Sequence, residues 1–136
     1  MSLVRILCVD DASYWRKFVS FMLRPETAFK VVSEASDGCA AVDMATRLHP
    51  TIVLLDLHLP KLSGIEVAKQ IRVLAPESKI LFVSEEEDLA VVADALQMGA
   101  SGYILKHSAG QELAPAIYAA VRGETFVSRG LLPATR

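Results

Sequence analysis

Thr51-Ile52-Val53-Leu54-Leu55-Asp56-Leu57-His58-Leu59-Pro60-Lys61-Leu62-Ser63-Gly64 is the stretch on which the fold turns. Its apolar run, Ile52 to Leu55, has no polar alternation, the pattern of a strand covered on both faces of a parallel sheet. The run ends in Asp56. Pro60 and Gly64 then punctuate a loop before helical spacing starts at Ile65. Open α/β sheets bind ligands in the crevice beyond the carboxyl ends of their strands, so a carboxylate at such an end stands in a reactive position. Asp56 is the expected reactive centre.

Upstream, Leu3 to Val9 reads as a first strand stopped by Asp10 and Asp11. Ser13 is the expected N-cap of a helix whose buried stripe is Trp15, Phe18, Val19, Met22 and Leu23, read as core packing. Phe29 to Val32 is a second short strand. After the Asp37-Gly38 turn, Ala41, Val42, Ala45 and Leu48 mark a second helix that His49-Pro50 closes.

Downstream, Ile65, Ala68, Ile71 and Leu74 define a third helix closed by Pro76, and Lys79 to Val83 is a fourth strand ending at Ser84. Glu85, Glu86, Glu87 and Asp88 are expected to load the first turn of a fourth helix, where acids complement the helix dipole. Its buried face runs through Leu89, Val92, Ala93 and Leu96 to a stop at Gly99. Ser101 to Leu105 is a fifth strand ending at Lys106. Leu113, Ile117, Ala120 and Val121 mark a fifth helix ending by Gly123, with Pro115 expected to delay its start beyond Gln111 or bend it.

Strands alternating with helices predict an α/β fold: a doubly wound, five-stranded parallel sheet with five helices on its two faces. Periodicity alone does not choose the strand order. The flavodoxin-like order 2-1-3-4-5 is preferred because it gathers the polar strand ends Asp10, Asp11, Asp56, Ser84 and Lys106 around one crevice.

The totals exclude several classes. A chain of 136 residues, 52% hydrophobic and 22% charged, has the makings of one compact domain and no disordered bias. A formal net charge of −2 supplies no field toward nucleic acid or anionic lipid. No apolar run approaches the roughly 20 residues of a membrane helix, and no signal-peptide layout opens the chain, so a cytoplasmic location is expected. Cys8 and Cys39 lack disulfide-framework or zinc spacing and read as reduced thiols; His49, His58 and His107 likewise form no metal-binding spacing.

Three carboxylates in one crevice repel one another unless a cation joins them. A hard divalent ion fits, and Mg²⁺ takes carboxylates together with waters and phosphate oxygens, which suits Asp10 or Asp11 with Asp56. With phosphoryl charge neutralised there, the Asp56 carboxylate could attack phosphorus in line and form an aspartyl phosphate. Lys106 offers positive charge to one phosphoryl oxygen and the Ser84 hydroxyl a hydrogen bond to another.

With these residues in place the chain, from about Val4 to Gly123, resembles the receiver domains of two-component response regulators. The resemblance rests on Asp10-Asp11, on Asp56 with Pro60 and Gly64, on Ser84, and on Tyr103 with Lys106. It implies that Asp56 accepts phosphate from a sensor histidine kinase. It further implies that Asp10, Asp11, Asp56 and the backbone carbonyl of His58 hold Mg²⁺, and that Ser84 and Tyr103 form a switch pair in which the hydroxyl moves to the phosphate and the ring repacks inward. The segments Gly99 to Tyr103 and Gly123 to Ser128 are similar to the NarL/FixJ type, whose receiver precedes a LuxR-like helix-turn-helix. Residues 1–123 would then be the receiver and residues 124–136 the start of an interdomain linker or a C-terminal tail. A homodimer through helix four, strand five and helix five is implied, with DNA reached only through a further domain.

Two positions depart from the family pattern. Glu85, with Glu86 behind it, stands where a small residue is common and is expected to slow or select phosphorylation by crowding and repulsion. His107 stands where many receivers carry a proline. The protein is not expected to turn over substrates beyond its own phosphorylation and dephosphorylation. A phosphatase resembling the haloacid dehalogenases wants a second acid two residues after the nucleophile, and His58 occupies that place. The alternative is a stand-alone or phosphorylation-independent receiver acting by protein–protein interaction.

Overall fold

A computed structural model describes residues 3–131. Its strands are β1 (Val4–Val9), β2 (Phe29–Ala35), β3 (Ile52–Leu55), β4 (Lys79–Ser84), β5 (Gly102–Leu105) and β6 (Phe126–Val127). Its helices are α1 (Ser13–Leu23), α2 (Gly38–Leu48), α3 (Gly64–Leu74), α4 (Leu89–Gln97) and α5 (Ala109–Val121). The sheet is parallel throughout, in the order β2-β1-β3-β4-β5-β6. The flavodoxin-like order and the five helices match expectation, whereas the sheet has six strands rather than five.

Alternate residues of the central strand feed different cores. Val53 and Leu55 join Leu7, Val9, Phe82 and Tyr103 under α2, α3 and α4. Ile52 and Leu54 join Ile6, Cys8, Leu81 and Ile104 under α1 and α5. This two-sided burial is why Ile52 to Leu55 had to be apolar at every position.

The sixth strand comes from the stretch read as linker. Phe126 N–H donates to Ser101 C=O at 3.0 Å and Ser128 N–H to Tyr103 C=O at 2.9 Å. The close pairing needs Gly102, since a Cβ there would stand 2.3 Å from the Phe126 carbonyl oxygen. A strand of two residues has too little pattern to be read from sequence.

Three helix starts also differ. The N-cap of α1 is Ala12, not Ser13, and the carboxylate that serves this turn is Asp10, whose Oδ1 accepts from Ala12 N–H at 2.9 Å. The acidic run does not enter α4: Asp88 is its N-cap, accepting from Ala90 N–H at 2.9 Å. Glu85 to Glu87 stay in the loop because side chains take up its backbone groups. Ser84 Oγ accepts from Glu86 N–H at 3.1 Å, Glu86 Oε2 from Asp88 N–H at 3.1 Å, and Tyr103 O–H donates to Glu86 C=O at 2.9 Å. Finally, α5 starts at Ala109, ahead of Gln111, and carries Pro115 inside it on an exposed position. A one-turn 3₁₀ segment, Lys106–Ser108, leads into it. Among the described residues no helix is long and apolar enough to cross a membrane.

Candidate functional site

Each strand of the central four delivers at least one polar group to the carboxyl edge of the sheet, and β1 delivers two. β1 ends before Asp10 and Asp11, β3 before Asp56, β4 at Ser84 and β5 before Lys106. Asp10, Asp56 and Ser84 are buried and Asp11 is exposed. Oxygens of Asp10, Asp11 and Asp56 all lie within 4.8 Å of one another. The mouth above them is a cavity of about 300 Å³ whose walls also include Tyr14, His58, Glu85 and Lys106.

The backbone reaches this geometry through close approach. Asp56 N–H donates to Val9 C=O at 3.2 Å, tying the end of β3 to that of β1. Behind it, Gly64 N–H donates to Leu57 C=O at 2.8 Å, and a Cβ on Gly64 would lie 2.2 Å from the Asp56 carbonyl oxygen. Only glycine lets α3 begin so near the carboxylate. Ser63 Oγ caps α3 by accepting from Glu66 N–H at 3.3 Å.

Among the described residues, Lys106 is the one cation inside this cluster. Its Nζ stands 2.7 Å from Asp10 Oδ2 and 3.4 Å from Asp56 Oδ2. The same ammonium lies 4.9 Å from the centroid of the Trp15 ring. Burial works against the Lys106 charge, but the hydrogen bond to Asp10 and the field of Asp56 prevail and raise its pKa. Asp56 is also raised: burial is the main cause, Lys106 opposes it, and the Asp10 carboxylate reinforces it. Three carboxylates facing one ammonium leave the crevice short of positive charge. This oxygen-only donor set fits a hard divalent ion such as Mg²⁺.

The remaining expected residues surround this centre. The Ser84 hydroxyl is buried and accepts from Glu86 N–H, leaving its own proton free to donate elsewhere. Tyr103 already lies inward, with its ring 6.3 Å from that of Phe82, and burial pushes its hydroxyl up to about 12, so it remains a donor to Glu86 C=O. His58 borders the cavity; its N–H lies 3.4 Å from Asp56 Oδ1 and its Nε2 lies 3.5 Å from Glu86 Oε1. Glu85 lines the mouth, while His107 sits in the 3₁₀ turn with Nε2 4.0 Å from Glu87 Oε2. Cys8 and Cys39 are free thiols.

Sequence reasoning missed two contributors. Trp15, read as core, has its ring against the lysine ammonium. Arg16 donates to the Asp10 carbonyl at 2.6 Å and pairs with Glu34 at 2.9 Å, fixing the end of β1. Helical spacing separates buried from exposed positions, but does not say which ones abut a strand end across the sheet.

Comparison with known proteins bears on this geometry. The family described as response regulator receiver domain matches residues 6–118. Transcriptional regulatory protein DegU of Brevibacillus brevis is 31% identical over 91% of this chain and 52% of its own length. The chain thus spans about half the length of that relative. The crystal structure of a LuxR-family two-component response regulator from Aurantimonas sp. SI85-9A1 superposes with a TM-score of 0.90 at 33% identity, covering 96% of this chain and 93% of the other. The signal receiver domain of the response regulator NarL from Mycobacterium tuberculosis gives 0.86 at 32% identity, covering 91% of this chain and all of that one.

Proposed function

The chain belongs to the response regulator receiver domain family, and from that premise we propose that it is a phosphorylatable switch in which Asp56 takes a phosphoryl group from a sensor histidine kinase. The observation that carries this reading is the convergence of Asp10, Asp11 and Asp56 within 4.8 Å with the Lys106 ammonium among them. Asp10, Asp11, Asp56 and the His58 carbonyl would hold Mg²⁺, which supplies positive charge to the phosphoryl oxygens. An Asp56 oxygen attacks phosphorus; the bond from phosphorus to the kinase imidazole nitrogen breaks, and its electron pair leaves with the imidazole.

Once the dianion is in place, the Lys106 ammonium pairs with one phosphoryl oxygen and the Ser84 hydroxyl donates to another. Ser84 can do so without releasing Glu86 N–H, because its oxygen still accepts. Since Tyr103 is already inward, the movement left to the switch is that of Ser84 and the β4–α4 loop. Glu85, at the mouth of the crevice, and Glu86, beside His58, modulate which donors reach Asp56.

The relatives named as transcriptional regulators, and their greater length, support an output through a DNA-binding helix-turn-helix half joined beyond the receiver. On this reading residues 1–123 are the receiver, the tail from residue 124 begins the connection, and β6 docks the first part of that tail on the sheet. The face formed by α4, β5 and α5 is the proposed homodimer surface. The protein works in the cytoplasm and turns over nothing but its own phosphate.

Intact mass after incubation with Mg²⁺ and acetyl phosphate tests the proposal. Addition of one phosphate, absent in Asp56→Asn, is the expected result; a folded protein that gains no phosphate from acetyl phosphate or from phosphorylated kinase would refute it.

A further inference from the structure

Ser128 follows β6 directly, and this residue pairs with β5 in an unusual way. In a parallel ladder its N–H donates to one residue of the neighbouring strand and its carbonyl accepts from the residue two further on. Ser128 N–H does donate to Tyr103 C=O at 2.9 Å. The Leu105 N–H, however, goes to Ser128 Oγ at 3.2 Å instead of to the carbonyl. The freed Ser128 carbonyl accepts from Leu131 N–H at 3.0 Å and turns the chain off the sheet.

Glu112, in the first turn of α5, fixes this arrangement. Its Oε1 accepts the Ser128 hydroxyl proton, which aims the Ser128 oxygen at Leu105, and its Oε2 accepts from Arg129 N–H at 3.1 Å. Ser128 is fully buried, so without Oγ the Leu105 N–H would have no water to turn to. Leu105 is the last residue before Lys106, and it lies opposite Ser84 in the β4–β5 register.

We propose that Ser128, oriented by Glu112, is a positioning residue for Lys106, and that the segment following β6 is thereby tied to the amine that meets the phosphoryl group. The first half of this proposal concerns geometry alone; the second rests on Asp56 as the phosphoacceptor. A shift of Lys106 toward a phosphoryl oxygen pulls on the strand end held by Ser128. Conversely, tension on the tail changes where the ammonium sits.

Trp15 is the only tryptophan of the chain, and Lys106 Nζ lies 4.9 Å from its ring, so its fluorescence reports on the ammonium directly. Lys106→Met gives the signal of a ring without the ammonium over it. Ser128→Ala is expected to move Trp15 emission toward that signal and to slow phosphorylation of Asp56 by acetyl phosphate about fivefold, the scale of one lost hydrogen bond. Ser128→Thr, which keeps the hydroxyl, restores both. Glu112→Ala, at a partly exposed site, shifts both in the same direction and serves should Ser128→Ala not fold. Wild-type emission and rate in folded Ser128→Ala or Glu112→Ala would overturn the proposal, as would a threonine variant no better than alanine. Should wild type take no phosphate, the phosphoacceptor reading and the link to the phosphoryl group fall together, and Trp15 emission still decides whether Ser128 positions Lys106.

Discussion

Asp56 ionises in a setting that resists it. Burial and the neighbouring Asp10 carboxylate raise its pKa above that of an unfolded aspartate, and Lys106 offsets this only in part. The unfolded chain therefore loses this proton at lower pH than the folded one. Without metal, stability falls as pH rises from the unfolded pKa through the folded one, and the deficit is complete above it. Asp56→Asn removes the charge and with it this loss. Metal-free urea unfolding should show Asp56→Asn more stable than wild type at pH 7.5, with the difference shrinking toward pH 4; a variant less stable at both values would contradict the assignment. The same proton competes with a cation, so Mg²⁺ affinity, followed by Trp15 fluorescence, should rise with pH through the folded pKa and then level off.

Among the elements, α3 and α5 show opposite uses of glycine near a helix start. At Gly64 an added methyl meets the Asp56 carbonyl oxygen at 2.2 Å and Leu57 Cα at 2.7 Å, both backbone atoms that cannot swing aside. At Gly110 it meets only Met22 Cε at 3.6 Å, an ordinary contact. Gly64→Ala should therefore lose about 2 kcal/mol or more by overpacking, and should weaken Mg²⁺ binding because it displaces the strand end. Gly110→Ala should gain up to about 1 kcal/mol from helix propensity. Chemical denaturation of the pair checks this, and a neutral Gly64→Ala would mean that α3 can shift without disturbing Asp56. Gly64 could be read from sequence as punctuation but not as a contact, because its partner is a backbone oxygen eight residues away and its signal is a missing side chain. The start of α4 was hidden for a related reason. Acids after Ser84 suit a helix N-terminus equally well on paper, and it is the hydroxyls of Ser84 and Tyr103, both bonded to the Glu86 backbone, with the Glu86 carboxylate on Asp88 N–H, that keep them in the loop.

At the scale of the molecule, the crevice lies where two cores share one sheet. The unbroken run Ile52 to Leu55 revealed both cores in advance, since a strand buried on one face only would alternate. The polar strand ends revealed the order of the inner strands. The sixth strand escaped because it is held by the absent Cβ of Gly102 and by the Ser128 hydroxyl, neither of which has a periodic signature. Leu54 and Leu55 are adjacent in sequence and point into opposite cores. If the sheet couples the two layers, Leu54→Ala and Leu55→Ala should each lower stability by about 2–5 kcal/mol and each shift one and the same transition. Both should also loosen the site, since Asp56 follows directly on Leu55. Circular dichroism and Trp15 fluorescence should then give coincident unfolding curves for both variants, because Trp15 packs with the α1 and α5 side while the circular dichroism signal comes from every helix. A Leu55→Ala protein whose α2, α3 and α4 side melts while Trp15 keeps its native emission would show instead that the layers are separable, and that the crevice depends on the α1 and α5 side alone.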